Sequence, residues 1–587
     1  MNQELAKIFY NTALYLEMDE VPFKPQAYEK AAINLETLSE DVGNIYKKGG
    51  IEALEKIPGI GKSIAEKIVE YIKTGKIKEH EAMKKKIPVN LDELTAVEGI
   101  GPKTVKALYK KLGVKNLKDL ERTAKAGEIR NLPHFGEKKE QNILESIEFL
   151  KRSHGRFLLG EILPNVYKII AQLKNLKEVK RISEAGSVRR RKETIGDADI
   201  LITSSNPQKV IDYFVSMPGV VKIWGKGPTK ASIRLKEARL PDGQGFDVDL
   251  RVLPEKQFGS ALQYFTGSKE HNIVLRKIAI DKGLKLSEYG LFRGSKLIAG
   301  EKEEEVYKAL GMNYIEPELR ENTGEIEFAT KRNLPKLINY NDIKGDLHCH
   351  SHWGEGIGKE IIEELVRAAM KMGYQYIGIS DHTKFLAIEH GLNEKQLMEQ
   401  RKYIDKLNSR LRQGFGGQAK FKILQGCEAN ILADGSIDIK DEALAKLDFV
   451  IAGVHSQMKM PKERMTERII KTMENPNVDI ISHPTGRILK QRDEYEVDFD
   501  KILKAAKETG TILEINANPY RLDLNDKNIR KAKEAGVKMV IDTDAHQPEQ
   551  MRFMEYGVSQ ARRGWAEKKH IINTQPIEKL SDLFKRP

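Results

Sequence analysis

The chain has 587 residues, enough for several domains each burying its own core, and its 40% hydrophobic and 32% charged content describes a soluble globular protein. A net charge of +13 favours a polyanionic partner, and two cysteines, Cys349 and Cys427, are too few for a disulfide framework, so a reducing, cytoplasmic setting is expected. No run is apolar enough to span a membrane, and the first stretch, MNQELAKIFYNTALYLEM, mixes acids into an amphipathic helix, unlike a cleaved targeting segment.

Residues 1 to about 150 read as helical, with 3.6-residue periodicity in Leu5 to Leu16, Ala27 to Leu38 and Ile64 to Ile72. An internal repeat stands out. Ile57-PGIG-Lys62 precedes SIAEKIVEYI, Val97-EGIG-Pro102 precedes KTVKALYKKL, and Leu132-PHFG-Glu137 precedes a third helix. Gly59, Gly61, Gly99 and Gly101 permit a tight turn and let backbone N–H groups approach a phosphate at the positive end of each helix. In the first copy, a buried stripe of Ile64, Ile68 and Ile72 leaves Ser63 and Lys67 on the opposite face.

Next comes GSVRRRKETIGDADILIT, from Gly186 to Thr203. Gly-Ser at a helix start offers N–H groups to an anion, and the cations from Arg189 to Lys192 add charge-assisted bonds. In the strand that follows, Asp197 and Asp199 share one face while Ala198 and Ile200 point to the other. Carboxylates so close repel unless cations lie between them, and oxygen-only ligation favours Mg²⁺ or Mn²⁺. A second strand, Gly245 to Leu253, puts Asp247, Asp249 and Arg251 on one face; either aspartate could be the third ligand by spacing alone. Beyond it lie YFTGS, from Tyr264, and a helix that brings Asn272 and Arg276 to one face.

From about residue 345 short apolar runs alternate with amphipathic helices, as in a parallel barrel or doubly wound sheet. DLHCHS, IGISDHT, ILQGCEAN, VIAGVHS, IISHPTG and VIDTDAH each end an apolar run on a ligand-type residue: His348, His350, His382, Glu428, His455, His483, Asp544 and His546. The C-terminal ends of barrel strands are where such enzymes build their sites. Mixed imidazole and carboxylate ligation suits Zn²⁺, Mn²⁺ or Fe²⁺ better than Mg²⁺. Cys349 should face away from its flanking histidines, and Arg412-QGFGGQA reads as an inserted loop.

Together these motifs resemble, over nearly the whole chain, the bacterial and archaeal family X DNA polymerases (polymerase β-like) that end in a PHP domain. The resemblance implies a multidomain fold: an all-α helix-hairpin-helix region, an α+β nucleotidyltransferase palm with a thumb, and a distorted (β/α)7 PHP barrel. It divides the chain into an N-terminal helical domain (1–85), a fingers-like domain (86–150), palm (151–254), thumb-like subdomain (255–320), linker (321–344) and PHP domain (345–587). It implies Asp197, Asp199 and Asp249 as the metal-binding carboxylates, with Ser187, Arg190 and Gly196 on the triphosphate. Tyr264, Phe265 and Gly267 would exclude a 2′-hydroxyl, Asn272 and Arg276 would touch the nascent base pair and template, and Arg251 would orient Asp249. Lys67 either attacks the sugar aldehyde of an abasic site or only contacts phosphate. In the barrel the family has Asp in the loop after His-x-His; Glu355 is the nearest substitute here, so one metal should bind weakly or off-centre.

The implied function is gap filling in DNA repair, on gapped or nicked DNA with dNTPs, by a monomer. The barrel would supply 3′–5′ exonuclease activity, extending to abasic-site endonuclease or 3′-phosphatase chemistry. The alternative is a DNA-end hydrolase whose palm no longer catalyses.

Overall fold

The computed structural model describes the whole chain except residues 38–40, 58, 96, 98–99, 134, 153–155, 237–244, 387–389, 415–420 and 586–587. The chain forms two compact units, one built essentially from residues 1–155 and the other from most of the remainder. Among the described residues, no helix is long and apolar enough to cross a membrane.

The first unit is helical and has two apolar cores. One gathers Leu5, Phe9, Ile60, Ile64 and Ile68; the other gathers Tyr15, Met18, Ile100, Val105, Ile143 and Ile147. Helix Asn2–Met18 serves both, because its early and late turns face different neighbours. The repeat is structural as well as sequential. Ile60, Ile100 and Phe135 each donate their N–H to the carbonyl three residues back, at 3.0 Å in every case. Helices Lys62–Thr74 and Pro102–Leu112 then start at Gly61 and Gly101 in extended conformation, and both end on a left-handed glycine, Gly75 and Gly113.

In the second unit a five-stranded sheet carries the palm, in the order Val179–Glu184, Asp197–Ser204, Gly245–Leu253, Lys230–Lys236, Val220–Lys226. Its second and third strands run parallel, with Asp197 opposite Asp247 and Asp199 opposite Asp249. The alternation read from the sequence holds: Ala198, Ile200, Phe246, Val248, Leu250 and Val252 are buried beneath the acids. Helix Lys269–Asp281 and a three-stranded antiparallel sheet from Lys285 to Ala299 form the thumb. The stretch 321–344, expected as a linker, is packed: Ile326, Ala329 and Leu337 complete the thumb core with Leu275, Tyr307 and Trp565.

The C-terminal part is a closed barrel of parallel strands. Gly345–Cys349, Tyr376–Ile379 and Lys422–Gln425 form one sheet; Glu428–Asn430, Ile451–Gly453, Ile480–Ile481, Ile512–Asn516 and Met539–Asp542 form the next. Residues 422–430 are one strand interrupted at Gly426-Cys427, which gives the distorted seven-stranded arrangement. A parallel bridge from Cys349 to Ala545 joins the last strand region to the first. Cys349 packs among Ile362, Leu365 and Ile377, as a core residue, and both cysteines are free thiols.

Candidate active sites

In the palm the contacts of the two candidate aspartates differ. Asp247 is occupied: Arg234 donates to it from Nε (2.8 Å) and Nη2 (2.9 Å), and Trp224 from Nε1 (2.9 Å). Among the described residues Asp249 is paired only with Lys230, at 3.3 Å, and it stands in register with Asp199. Burial, then repulsion from Asp197 and Asp249, pushes the Asp199 carboxyl up to about 7. Burial and Asp249 likewise raise Asp197, whereas the bonds from Arg234 and Trp224 overcome burial and lower Asp247. Three mutually repelling carboxylates with oxygen-only ligation fit divalent cations of the Mg²⁺ type. Gly186, at φ +60°, lies so close that a Cβ there would meet Asp199 Oδ2 at 2.5 Å.

A raised acid pKa has a definite sign in stability. The protonated form is favoured by the fold, so that contribution is full below the ordinary value of about 4 and is lost as pH rises through about 7. In chelator, the melting temperature of the parent should fall between pH 5 and 8 more than that of Asp199→Asn. Equal slopes would contradict the assigned repulsion.

Around this centre, Gly196 lies beside Arg156, and Ser187 is in the short helix Gly186–Arg189. Arg190 turns to the thumb, donating from Nε to Glu321 (3.1 Å) and from Nη1 to the Thr266 carbonyl. Arg189 is held by Glu303 and Thr266. Tyr264 and Phe265 pack edge to face, and Arg251 lies over the Phe265 ring at 4.4 Å rather than bonding Asp249. Asn272 does not have a free amide for a base pair. Its Nδ2 donates to the Tyr264 carbonyl (2.7 Å) and its Oδ1 accepts from Gln263 (2.7 Å), so it clamps the turn beside Gly267. Arg276 is exposed on the same helix.

In the barrel, three groups of side chains offer ligand atoms within 4.8 Å of one another among the described residues: His350, His382 and His546; His348, His350 and Asp544; His382, Glu428 and His455. Glu428 is the hub. Its Oε2 lies 2.8 Å from His382 Nδ1 and 3.4 Å from His348 Nε2, while Oε1 lies 3.2 Å from His455 Nε2 and 2.9 Å from His483 Nε2. Yet among the described residues the buried His348 Nε2, His350 Nε2 and His382 Nδ1 lie close to carboxylates without making a hydrogen bond, and the buried His483 Nδ1 has no hydrogen-bond partner either. Buried polar atoms left bare are costly, and nitrogens converging on carboxylates in this way fit bound divalent metal. Burial, then neighbouring imidazoles, lowers His350 and His546, and burial with the nearby Arg521 charge lowers His483; neutral imidazole is the ligating form.

Second partners orient these rings. Glu514 accepts from His348 Nδ1 (2.6 Å) and from the His483 N–H (2.6 Å), and Asn430 meets His455 Nδ1 at 2.8 Å. Neither was picked out in the sequence. The available signal was an acid inside the apolar run Ile512–Asn516, all of it buried. Asp381 holds the loop after His350 through Ser351 and Gln400.

Glu355 is set apart from these groups. Its Oε1 meets His352 Nδ1 at 3.0 Å, and His352 Nε2 in turn faces the His546 carbonyl at 3.1 Å. His352 adopts φ +57° just before the short helix Trp353–Glu355, while Trp353 and Gly354 line the same cavity as His350, His382 and His546. The expected substitute ligand is therefore a partner of His352 in this structure.

In the helical unit, Gly59 adopts φ +72° and a Cβ there would clash with the Asn34 amide, whereas Gly61 and Gly101 face open space among the described residues, as a backbone meant to approach a ligand requires. Gly99 and the 415–420 part of the Gly/Gln loop lie outside the described residues. Gly59→Ala should cost about 1–3 kcal/mol of stability in a denaturant melt, the scale for a non-glycine forced into a sparsely populated backbone region; Gly101→Ala should be nearly neutral. Equal effects would contradict the difference in packing. Lys67 is in an ion pair with Glu79, which also accepts from Tyr28 (2.8 Å), so any nucleophilic use requires that pair to open.

Comparison with known proteins follows the same division. Family models match as a helix-hairpin-helix domain over residues 1–77, a SAM-like helix-hairpin-helix tandem over 91–148, a DNA polymerase beta thumb over 261–321 and a PHP domain over 346–518. A Bacillus subtilis protein named DNA polymerase/3′–5′ exonuclease PolX is 36% identical over 587 residues, spanning 100% of this chain and 99% of that protein. A probable phosphatase of Thermoanaerobacter sp. (strain X514) is 31% identical over 254 residues, 41% of this chain and 94% of its own length. A probable phosphatase of Caldanaerobacter subterraneus is 33% identical over 215 residues, 34% of this chain and 75% of its own. With a relative matched from end to end, and thumb, helical hairpins and barrel each matched in order, the chain belongs to the family X DNA polymerases that carry a C-terminal PHP domain.

Proposed function

We propose that this protein is a DNA-directed DNA polymerase and 3′–5′ exonuclease, with the two reactions carried by separate centres in one chain. It would fill short gaps in repair, taking dNTPs and gapped or nicked DNA, as a cytoplasmic monomer. The observation that carries the reading is the presence of two independent ligand sets, Asp197, Asp199 and Asp249 in the palm and the Glu428-centred imidazoles in the barrel.

In the palm, Mg²⁺ or Mn²⁺ held by those aspartates would lower the pKa of the primer 3′-hydroxyl and offset charge on the triphosphate. The chain's own residues do the positioning. Ser187, Gly196 and Arg190 would hold the triphosphate, with Gly186 leaving room beside Asp199. The Tyr264–Gly267 turn, clamped by Asn272, would close the space that a 2′-hydroxyl needs. Exposed Arg276 remains available to a nucleic acid strand. In the barrel, bound Zn²⁺, Mn²⁺ or Fe²⁺ would supply a water of lowered pKa for phosphoester hydrolysis. Glu514 and Asn430 fix the rings of His348 and His455 for that ligation. In the helical unit, the turns at Gly59 to Gly61 and Gly99 to Gly101 would bind backbone phosphates without reading sequence.

Primer extension on a one-nucleotide gap tests the reading. One dNTP should be added and the corresponding ribonucleotide much more slowly. Shortening of the primer without any addition, under both Mg²⁺ and Mn²⁺, would assign the chain instead to DNA-end hydrolysis with a palm that only binds.

A further inference from the structure

Arg190, assigned above to the triphosphate, already has an anionic partner. Its Nε donates to Glu321 at 3.1 Å, and the two side chains are only 14% and 21% exposed, so the pair is not dissolved by solvent. A nucleotide triphosphate and Glu321 are therefore rivals for one guanidinium. Glu321 has two other cations within reach. Lys192 Nζ lies 3.8 Å away, and Arg563 Nη1 donates to the same Oε1 at 3.2 Å. Arg563 comes from helix Met554–Arg563 of the barrel, is 3% exposed, and also donates to the Arg190 carbonyl oxygen at 3.0 Å and to Asp526.

This sharing has a consequence for binding. A buried carboxylate stripped of its cation is strongly unfavourable, so Arg190 can leave Glu321 only if other charge remains on that carboxylate. Arg563 and Lys192 supply it. We infer that Glu321 competes with the incoming nucleoside triphosphate for Arg190, and that Arg563 is a positioning residue which compensates Glu321 when Arg190 turns to the nucleotide. The PHP barrel thereby sets the nucleotide affinity of the palm, through one helix and without touching substrate. The inference rests on the reading of Arg190 as a triphosphate ligand.

The test is single-nucleotide incorporation on a gapped duplex by the full chain, resolving KM for dNTP from kcat, with exonuclease activity measured alongside. Glu321→Gln removes the rival carboxylate, leaving Arg190 its bond to the Thr266 carbonyl, and should lower KM about threefold to tenfold with kcat little changed; Arg563→Gln should raise KM by about the same factor, the range for the net effect of one ordinary hydrogen bond. Arg563→Lys keeps the charge and should recover most of the parent KM. In the Glu321→Gln background, Arg563→Gln should have no further effect, because the carboxylate it compensates is gone. A role confined to holding the barrel in place predicts otherwise: Arg563→Gln would then lower kcat and exonuclease together and would do so equally in both backgrounds, which overturns the inference. If Arg190→Gln leaves KM unchanged, the triphosphate reading itself fails. If Arg190→Gln raises KM while Glu321→Gln does not lower it, that reading stands and only the competition is refuted. Should Arg563→Gln fold poorly, Glu321→Gln and Arg563→Lys carry the decision alone.

Discussion

Glu428→Gln should abolish hydrolysis by the barrel and empty it of metal, while leaving primer extension intact. One carboxylate faces four imidazoles, His348, His382, His455 and His483, from four different strand ends. The amide keeps the shape and removes the charge. The Glu428 carboxylate is held well below the usual range against the burial that opposes it, chiefly by His348, His455 and His382. Loss of a residue that merely orients a ligand costs about 10–100-fold in metal affinity or activity, so Glu514→Gln should fall in that range and Glu428→Gln beyond it. Metal content by elemental analysis and exonuclease rate on the same preparations check this. Full metal content in Glu428→Gln would mean that the ligands are centred elsewhere.

The second large effect separates two neighbouring acids. Asp249→Asn should lower primer extension by about 10³-fold or more, equivalent to about 4 kcal/mol of barrier. Asp247→Asn should cost much less, because Asp247 is held by Arg234 and Trp224 on a half-exposed face. An ion pair with that exposure contributes about 1 kcal/mol at most, so extension should stay within about fivefold of the parent. The reverse ranking would exchange their roles and contradict the reading drawn from the Arg234 and Trp224 contacts.

The contrast shows what a sequence can and cannot carry. The two aspartates alternate correctly on their strand and are equivalent there. Each faces an acid of the neighbouring strand, so only the approach of Arg234 and Trp224 to Asp247 tells them apart. The hairpin turns were legible because the whole motif is local: glycines, turn bond and helix start lie within about six residues. The strand-end histidines were legible because each ends an apolar run. Glu514 was not, since its partner His348 lies 166 residues away and nothing in an isolated LEIN distinguishes a ring-orienting acid. Asn272 shares a helix face with Arg276, but its amide is claimed by Gln263 and Tyr264 in the last turns of the preceding helix. The pairing of Glu355 with His352 depends on side-chain placement that the loop sequence does not carry, and the ion pairs from Arg487 and Arg563 to the palm and thumb join residues 294 and 242 apart.

The most direct measurement is a labelled primer annealed across a short gap, incubated with Mn²⁺ or Mg²⁺ with and without dNTPs, for the parent, Asp249→Ala and His348→Ala. Two separate centres predict that Asp249→Ala still shortens the primer and no longer extends it, while His348→Ala extends and no longer shortens. Loss of both activities in either variant, with the protein still folded, would contradict the account by making the two reactions depend on one site.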